Sequence, residues 1–233
     1  MASLYLIPIT LGDSELNTVI PENHKKIILS ISHFIVENIR TARRFLKKVD
    51  RNIDIDSLLF YELNKHTNKN QLHSYLDPIK QNLSVGIMSE AGCPGVADPG
   101  AELVRIAHEQ SVRVVPLVGP SSILLAMMAS GMNGQNFAFN GYLPIKKGEK
   151  ATQIKHLESR IYSENQSQLF IEAPYRNLQL LDDLLQNCQP QTKLCIACDL
   201  TLETEFVKTQ SISNWKKSKP DIQKRPAIFI LGK

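Results

Sequence analysis

Cysteine is scarce, with four in 233 residues, too few for the disulfide framework of a secreted domain. The 11 glycines contain no Gly-x-Gly, which removes the dinucleotide-binding fingerprint. There is no Walker-type GxxxxGK[ST] loop and no HExxH, and the six histidines have no metal-ligand spacing. The longest nearly unbroken apolar run, Ile123 to Ala129, is about a third of a membrane span. The opening MASLYLIPIT lacks a basic n-region and reads as a strand, so no export signal is expected and the expected compartment is the cytoplasm. What remains, 42% hydrophobic and 21% charged, is the composition of an ordinary globular chain and excludes disorder and low complexity.

The charge balance is mild, 27 Lys+Arg against 23 Asp+Glu for a net +4, so its distribution matters more than its sum. Six cations lie between Arg40 and Arg51: Arg40, Arg43, Arg44, Lys47, Lys48 and Arg51. At about 100° per residue they fall within an arc of roughly 140°. Ile39, Ala42, Phe45, Leu46 and Val49 take the opposite arc. This is an amphipathic helix with a basic outer face, either a solvated surface or a stripe facing RNA or phosphate.

The pattern along the chain predicts strands at Leu4 to Ile7 and Lys26 to Ile31, the basic helix, and a polar loop over Asn64 to His73. Regular alternation follows. Ser84 to Ser89 is a strand, Ala101 to Gln110 a helix, Val112 to Val118 a strand, and Ser121 to Ser130 a helix with Gly131 as its C-cap. Strand–helix–strand–helix over about fifty residues implies a parallel βαβ sheet. The second half alternates again: strand Phe137 to Leu143, helix Glu149 to Tyr162, strand Leu169 to Glu172, helix Arg176 to Cys188 and strand Lys193 to Cys198. Phe206 to Ile212 and Ala227 to Leu231 are further strands around a short turn at Trp215. The expected fold class is α/β with two α/β domains, residues 1–117 and 118–233.

Two loops stand out. Ser89 to Gly100 (SEAGCPGVADPG) packs three glycines and two prolines into twelve residues between a buried strand and a helix. A plain βα connection needs only two to six residues, and the carboxyl end of parallel strands is where ligands bind. Val118 to Ser122 (VGPSS) is the second. There Ser121 or Ser122 can cap the helix and also offer a hydroxyl or backbone N–H to a ligand. Cys195 and Cys198 form a CxxC inside a strand, so they point to opposite faces and belong to the core. Cys93 lies in the glycine loop, with nothing near it in sequence to lower its pKa.

These strings, in this order, resemble the tetrapyrrole methylase superfamily almost end to end. Pro8 and Gly12 fit the family's first loop, and Ser89 to Gly100 fits its S-D-A-G-x-P-x-x-x-D-P-G loop. VPLVGPSS, FNGYLP, EAPYR and DLTLETE fit its later motifs. The resemblance implies two α/β domains with S-adenosylmethionine held in the cleft between them. It implies cofactor contacts at Pro8, Ser89, Glu90, Ala91, Gly92, Cys93, Gly119, Ser121, Ser122, Leu200 and Ala227, with no metal. It also implies a homodimer and, within the family, methylation of a ribose 2′-hydroxyl of small-subunit ribosomal RNA; the basic helix face of Arg40, Arg43, Arg44, Lys47 and Lys48 is the expected contact with that RNA.

The chain departs from the family at polar positions. The E-D-T-R stretch is Glu37-Asn38-Ile39-Arg40, the H-E-H-N-E stretch is Tyr61-Glu62-Leu63-Asn64-Lys65, Leu202 replaces a lysine, and the late K-G-E is Lys224-Arg225-Pro226. A ribose hydroxyl is a weak nucleophile that gains from a general base. Glu37, Glu62 and Glu90 are the candidates, and the sequence assigns none of them. Two alternatives stand beside RNA methylation: a small-molecule acceptor such as a tetrapyrrole, and a cofactor- or RNA-binding protein without catalysis.

Overall fold

The structure, a computed structural model, describes residues 2–64 and 67–233. The chain divides into two compact units, Met1–Ser121 and Ser122–Lys233.

The first unit runs β1 (Ser3–Ile7), α1 (Leu16–Val19), α2 (Asn23–Leu29), β2 (His33–Val36), α3 (Ile39–Val49), β3 (Leu59–Glu62), α4 (Asp77–Lys80), β4 (Val85–Met88), α5 (Ala101–Glu109) and β5 (Arg113–Pro116). Its five strands form one sheet in the order β3-β2-β4-β1-β5, every pair parallel. Period-2 side chains serve both faces. Ile7, Phe34 and Val36 join Ile28, Phe45 and Leu46 on one side. Leu4, Ile35, Val85 and Ile87 join Leu103 and Ile106 on the other. The inner strands β2 and β4, covered on both faces, are buried throughout, while the edge strands β3 and β5 are partly exposed.

Two expectations fail here. Lys26 to Ile31 is not a strand but the end of α2 and the turn after it; the strand is His33–Val36. The apolar residues of KKIILSIS can serve either element. Helical spacing wins because it turns His24 and Ile28 inward together, leaving the fully buried HFIV to pair with β3 and β4. Within the expected loop Asn64 to His73, Lys65 and His66 lie outside the described residues. From Lys69 onward a 3-10 helix, Lys69–Leu76, replaces the loop and buries Leu72 and Leu76.

The second unit runs α6 (Ser122–Ser130), β6 (Phe137–Tyr142), α7 (Lys147–Glu164), β7 (Ser167–Ile171), α8 (Asn177–Asn187), β8 (Lys193–Cys198), β9 (Phe206–Ser211), α9 (Ile212–Trp215) and β10 (Ala227–Gly232). These match the expected elements to within a few residues. Gly131 takes the left-handed conformation that ends α6 (φ +70°). The sheet order is β6-β7-β10-β8-β9, with β6 and β7 parallel and the rest antiparallel. One core lies under α7 and α8, built on Phe170, Phe229, Leu194, Ile196 and Cys198. Cys195 is equally buried but outside that cluster, so the CxxC pair splits between the two faces as its spacing requires. Among the described residues no helix is long and apolar enough to cross a membrane, and no cluster of His, Cys, Asp and Glu could hold a metal.

Candidate active site

In an all-parallel sheet every strand ends at the same edge, so the first unit gathers there the chain segments that follow β1, β2, β4 and β5. Three of them are interlocked. Ile9 and Gly92 exchange both backbone hydrogen bonds, Ile9 N donating to Gly92 O at 3.0 Å and Gly92 N to Ile9 O at 3.2 Å. The Ser89 hydroxyl donates to the Ala91 carbonyl at 3.2 Å and the Gly92 carbonyl at 3.4 Å, closing the start of the loop on itself. The Cys93 thiol donates to the Pro120 carbonyl at 3.4 Å. Burial pushes that thiol's pKa up, so Cys93 is a structural link between the second and third loops and not a reactive thiolate.

The glycines are there for space and for backbone shape. At Gly119 a Cβ would run into the ring of Pro8, so the first and third loops touch backbone to ring with no room for a side chain. Gly92 combines φ +71° with Leu11 and the Pro120 carbonyl at 3.1 and 3.3 Å from where a Cβ would stand. Pro8, Ser89, Glu90, Ala91, Gly92, Cys93, Gly119 and Ser121 thus share one edge of the first unit.

Three carboxylates converge on the same edge: Glu37 directly after β2, and Glu90 and Asp98 in the glycine loop. Burial first, then the charges of Asp98 and Glu90, hold the Glu37 carboxyl above its ordinary value. Burial and Glu90 do the same to Asp98. Glu90 itself is exposed and accepts a hydrogen bond from the Thr41 hydroxyl of α3 at 3.3 Å. Of the sequence candidates for a base, Glu37 and Glu90 therefore sit together, while Glu62 contributes to neither shift and lies on the edge strand. Asp98 was visible only as part of a matching string. Its electrostatic partnership with Glu37 spans 61 positions of chain, and no local pattern signals it.

Helix α3 forms as expected, opened by Asn38, whose side chain accepts from the Arg40 and Thr41 amides at 2.9 and 3.2 Å. Its basic face is not uniformly free. Arg43 pairs with Asp56. Lys47 donates to the Arg51 and Ile53 carbonyls at 3.2 and 2.7 Å. Lys48 pairs with Asp13 at 3.0 Å and donates to the Ser14 carbonyl at 2.6 Å. The expected stripe of Arg40, Arg43, Arg44, Lys47 and Lys48 narrows to Arg40 and Arg44, because nearby acceptors in loops before and after the helix take up the other cations.

In the second unit Leu200 follows β8 and is held between two non-glycine residues in the left-handed region, Asp199 (φ +49°) and Thr201 (φ +72°). Such conformations cost about 1 kcal/mol or more each and persist only where surrounding bonds enforce them. Here Arg225 donates to the Asp199 carboxylate at 2.8 Å, the Thr204 hydroxyl donates to it at 2.8 Å, and the Asp199 amide donates to the Pro226 carbonyl at 3.0 Å. Ala227, paired with Cys198 across β10 and β8, adjoins this turn. Ser122 opens α6. The sequence offered Leu200 through its motif but gave no sign of the strained residues on either side of it.

No family model matches the chain. Among curated proteins it is similar to ribosomal RNA small subunit methyltransferase I of Haemophilus influenzae, 29% identical over 175 residues, which are 74% of this chain and 60% of that protein. The protein of the same name from Buchnera aphidicola subsp. Schizaphis graminum is 27% identical over 232 residues, 98% of this chain and 77% of the relative. The chain thus aligns with less than two thirds of the first relative and about three quarters of the second. Among solved structures it is similar to the methyltransferase CobJ, with TM-score 0.66 and 14% identity over 100% of this chain and 94% of that one. It is also similar to uroporphyrin-III C-methyl transferase from Thermus thermophilus complexed with S-adenosyl homocysteine, with TM-score 0.54 and 16% identity over 100% and 98%. The chain thus has the fold of these solved structures over its whole length and sequence relatives over nearly all of it.

Proposed function

We propose that this chain is an S-adenosylmethionine-dependent methyltransferase that modifies small-subunit ribosomal RNA at a ribose 2′-hydroxyl. The observation that carries the reading is the interlocked trio of loops at the carboxyl edge of the first unit, with a carboxylate group beside it. The residues fit the cofactor. A cradle in which Gly119 meets Pro8 directly and Gly92 needs a positive φ keeps side chains out of the way of a bound ligand. Pro8, Ser89, Glu90, Ala91, Gly92, Cys93, Gly119 and Ser121 would hold it from the first unit, and Ser122, Leu200 and Ala227 from the second. When bound, S-adenosylmethionine supplies an electrophilic methyl group on a sulfonium.

The chain's own part is positioning and proton removal. Fixing nucleophile and electrophile in line supplies several kcal/mol without any charged intermediate to stabilise. A carboxylate whose proton affinity is raised by burial and by its neighbours is a better base near neutral pH than an exposed one. Glu37 meets that condition in this edge, and we assign it the hydroxyl proton. The fold alone suits a tetrapyrrole acceptor equally well; the sequence relatives favour RNA.

The test is transfer of tritium from methyl-labelled S-adenosylmethionine to purified small ribosomal subunits, followed by alkaline digestion of the RNA. The expected label survives in an alkali-resistant dinucleotide, because a methylated 2′-oxygen cannot attack its phosphate. Label released as mononucleotide would refute the ribose assignment. Label in a corrinoid precursor with none in subunits would refute RNA as the acceptor.

A further inference from the structure

We infer that a cavity of about 360 Å³ in the first unit seats one ribose-phosphate of the acceptor strand, with Arg44 as its phosphate ligand; the inference rests on the RNA reading above. The cavity is lined by the loop from Ile9 to Asp13 and by Thr41, Arg44, Phe45, Lys48 and Glu90. Its charges sort unevenly. Lys48 and Asp13 neutralise each other at 3.0 Å, and Lys48 is further tied to the Ser14 carbonyl. Glu90 carries the Thr41 hydroxyl. Arg44 alone among the lining cations makes no ion pair and no hydrogen bond among the described residues.

A free guanidinium presents a planar fork that matches a phosphate bidentately. The opposite chemistry lies in the same cavity, where the Glu90 carboxylate and the Thr41 hydroxyl oxygen can accept hydrogen bonds. A simple dianion brings only acceptors and would be repelled by Glu90, as would the crowded carboxylates of an acidic peptide. A ribose-phosphate brings one anion and hydroxyl donors, which is the complement of this lining. The volume is at the small end of ligand sites, fitting one nucleotide sugar and not an extended strand. Glu90 also belongs to the glycine loop, so a sugar held here lies next to the loop proposed for the cofactor. Arg40, likewise unpaired and one turn earlier on the same helix face, stands where a neighbouring phosphate would pass.

The test compares Arg44→Gln with Arg43→Gln, two exposed sites on one helix with the same loss of charge. Binding of a fluorescein-labelled single-stranded RNA decamer is followed by anisotropy across a salt series, with the thermal midpoint as a folding control. Arg44→Gln is expected to weaken binding about fivefold and to flatten the slope of log affinity against log salt by about 0.7, the loss of one single-strand phosphate contact. Arg43→Gln is expected to leave both unchanged, since its charge is already spent on Asp56. Equal effects of the two variants, or none from Arg44→Gln while the wild type binds RNA, would overturn the inference and leave the RNA reading intact. A wild type that does not bind RNA would overturn both. Poly-glutamate bound as tightly as the decamer and lost equally in Arg44→Gln would assign an acidic protein partner instead and overturn the ribose-phosphate seat.

Discussion

Gly119 and Glu37 are the two single residues on which the proposed site depends most. Gly119 is close-packed against the Pro8 ring, so Gly119→Ala must push the first loop from the third. The expected cost is about 1–3 kcal/mol of stability, typical of overpacking. A larger loss is expected in function, with S-adenosylmethionine affinity down at least about tenfold, equivalent to ~1.4 kcal/mol. Titration calorimetry on the folded variant checks it. Glu37 gives a pH signature. Its folded-state pKa is raised above the ordinary 4.5, so its contribution to stability is fully present below that value and is lost as pH rises through the raised one. Gln cannot titrate, so Glu37→Gln should gain on the wild type as pH rises from about 4 toward neutrality, which the difference between the two thermal midpoints across that series checks. Its turnover should fall about 100-fold or more. Full turnover in Glu37→Gln would remove Glu37 as the base.

At the scale of elements, the parts that the sequence exposed were those with a clear period or a strong punctuation mark. Helices α5 and α6 and strands β4 and β5 were legible because glycine- and proline-rich loops separate short apolar runs. Helix α2 and strand β2 were not, because the apolar residues of KKIILSISHFIV fit neither period cleanly and the boundary falls inside it. Strand β3, half-exposed on the sheet edge, carried too weak an alternation to see. At the site, the glycine loops were legible from composition. The Glu37–Asp98 proximity and the left-handed Asp199 and Thr201 were not, since the first arises from tertiary packing and the second from tertiary hydrogen bonds, not from local preference. A further element-scale prediction concerns α7 and α8. Lys150 and Asp183 form an ion pair at 3.1 Å with side chains 3% and 13% exposed. Removing one partner strands the other charge in the core, so Lys150→Met should cost about 3–5 kcal/mol. Lys150→Met with Asp183→Leu should recover most of it. Thermal unfolding of the intact chain measures both, and a double variant no better than the single one would contradict the assignment of this pair as a buried charge balance.

Over the whole molecule, the chain devotes one unit to a five-stranded parallel sheet and the other to a mixed sheet. Motif residues proposed for the cofactor come from both. That division explains why the matching strings run from Pro8 to Ala227 and do not cluster in one segment. The most direct test of the central claim is a calorimetric titration of the intact protein with S-adenosylmethionine and its demethylated product. The account predicts binding near micromolar affinity, about −8 kcal/mol, at least about tenfold weaker in Gly92→Leu and in Gly119→Ala and retained in Arg44→Gln. No detectable binding of either ligand by the folded wild type, or binding indifferent to both glycine substitutions, would contradict it.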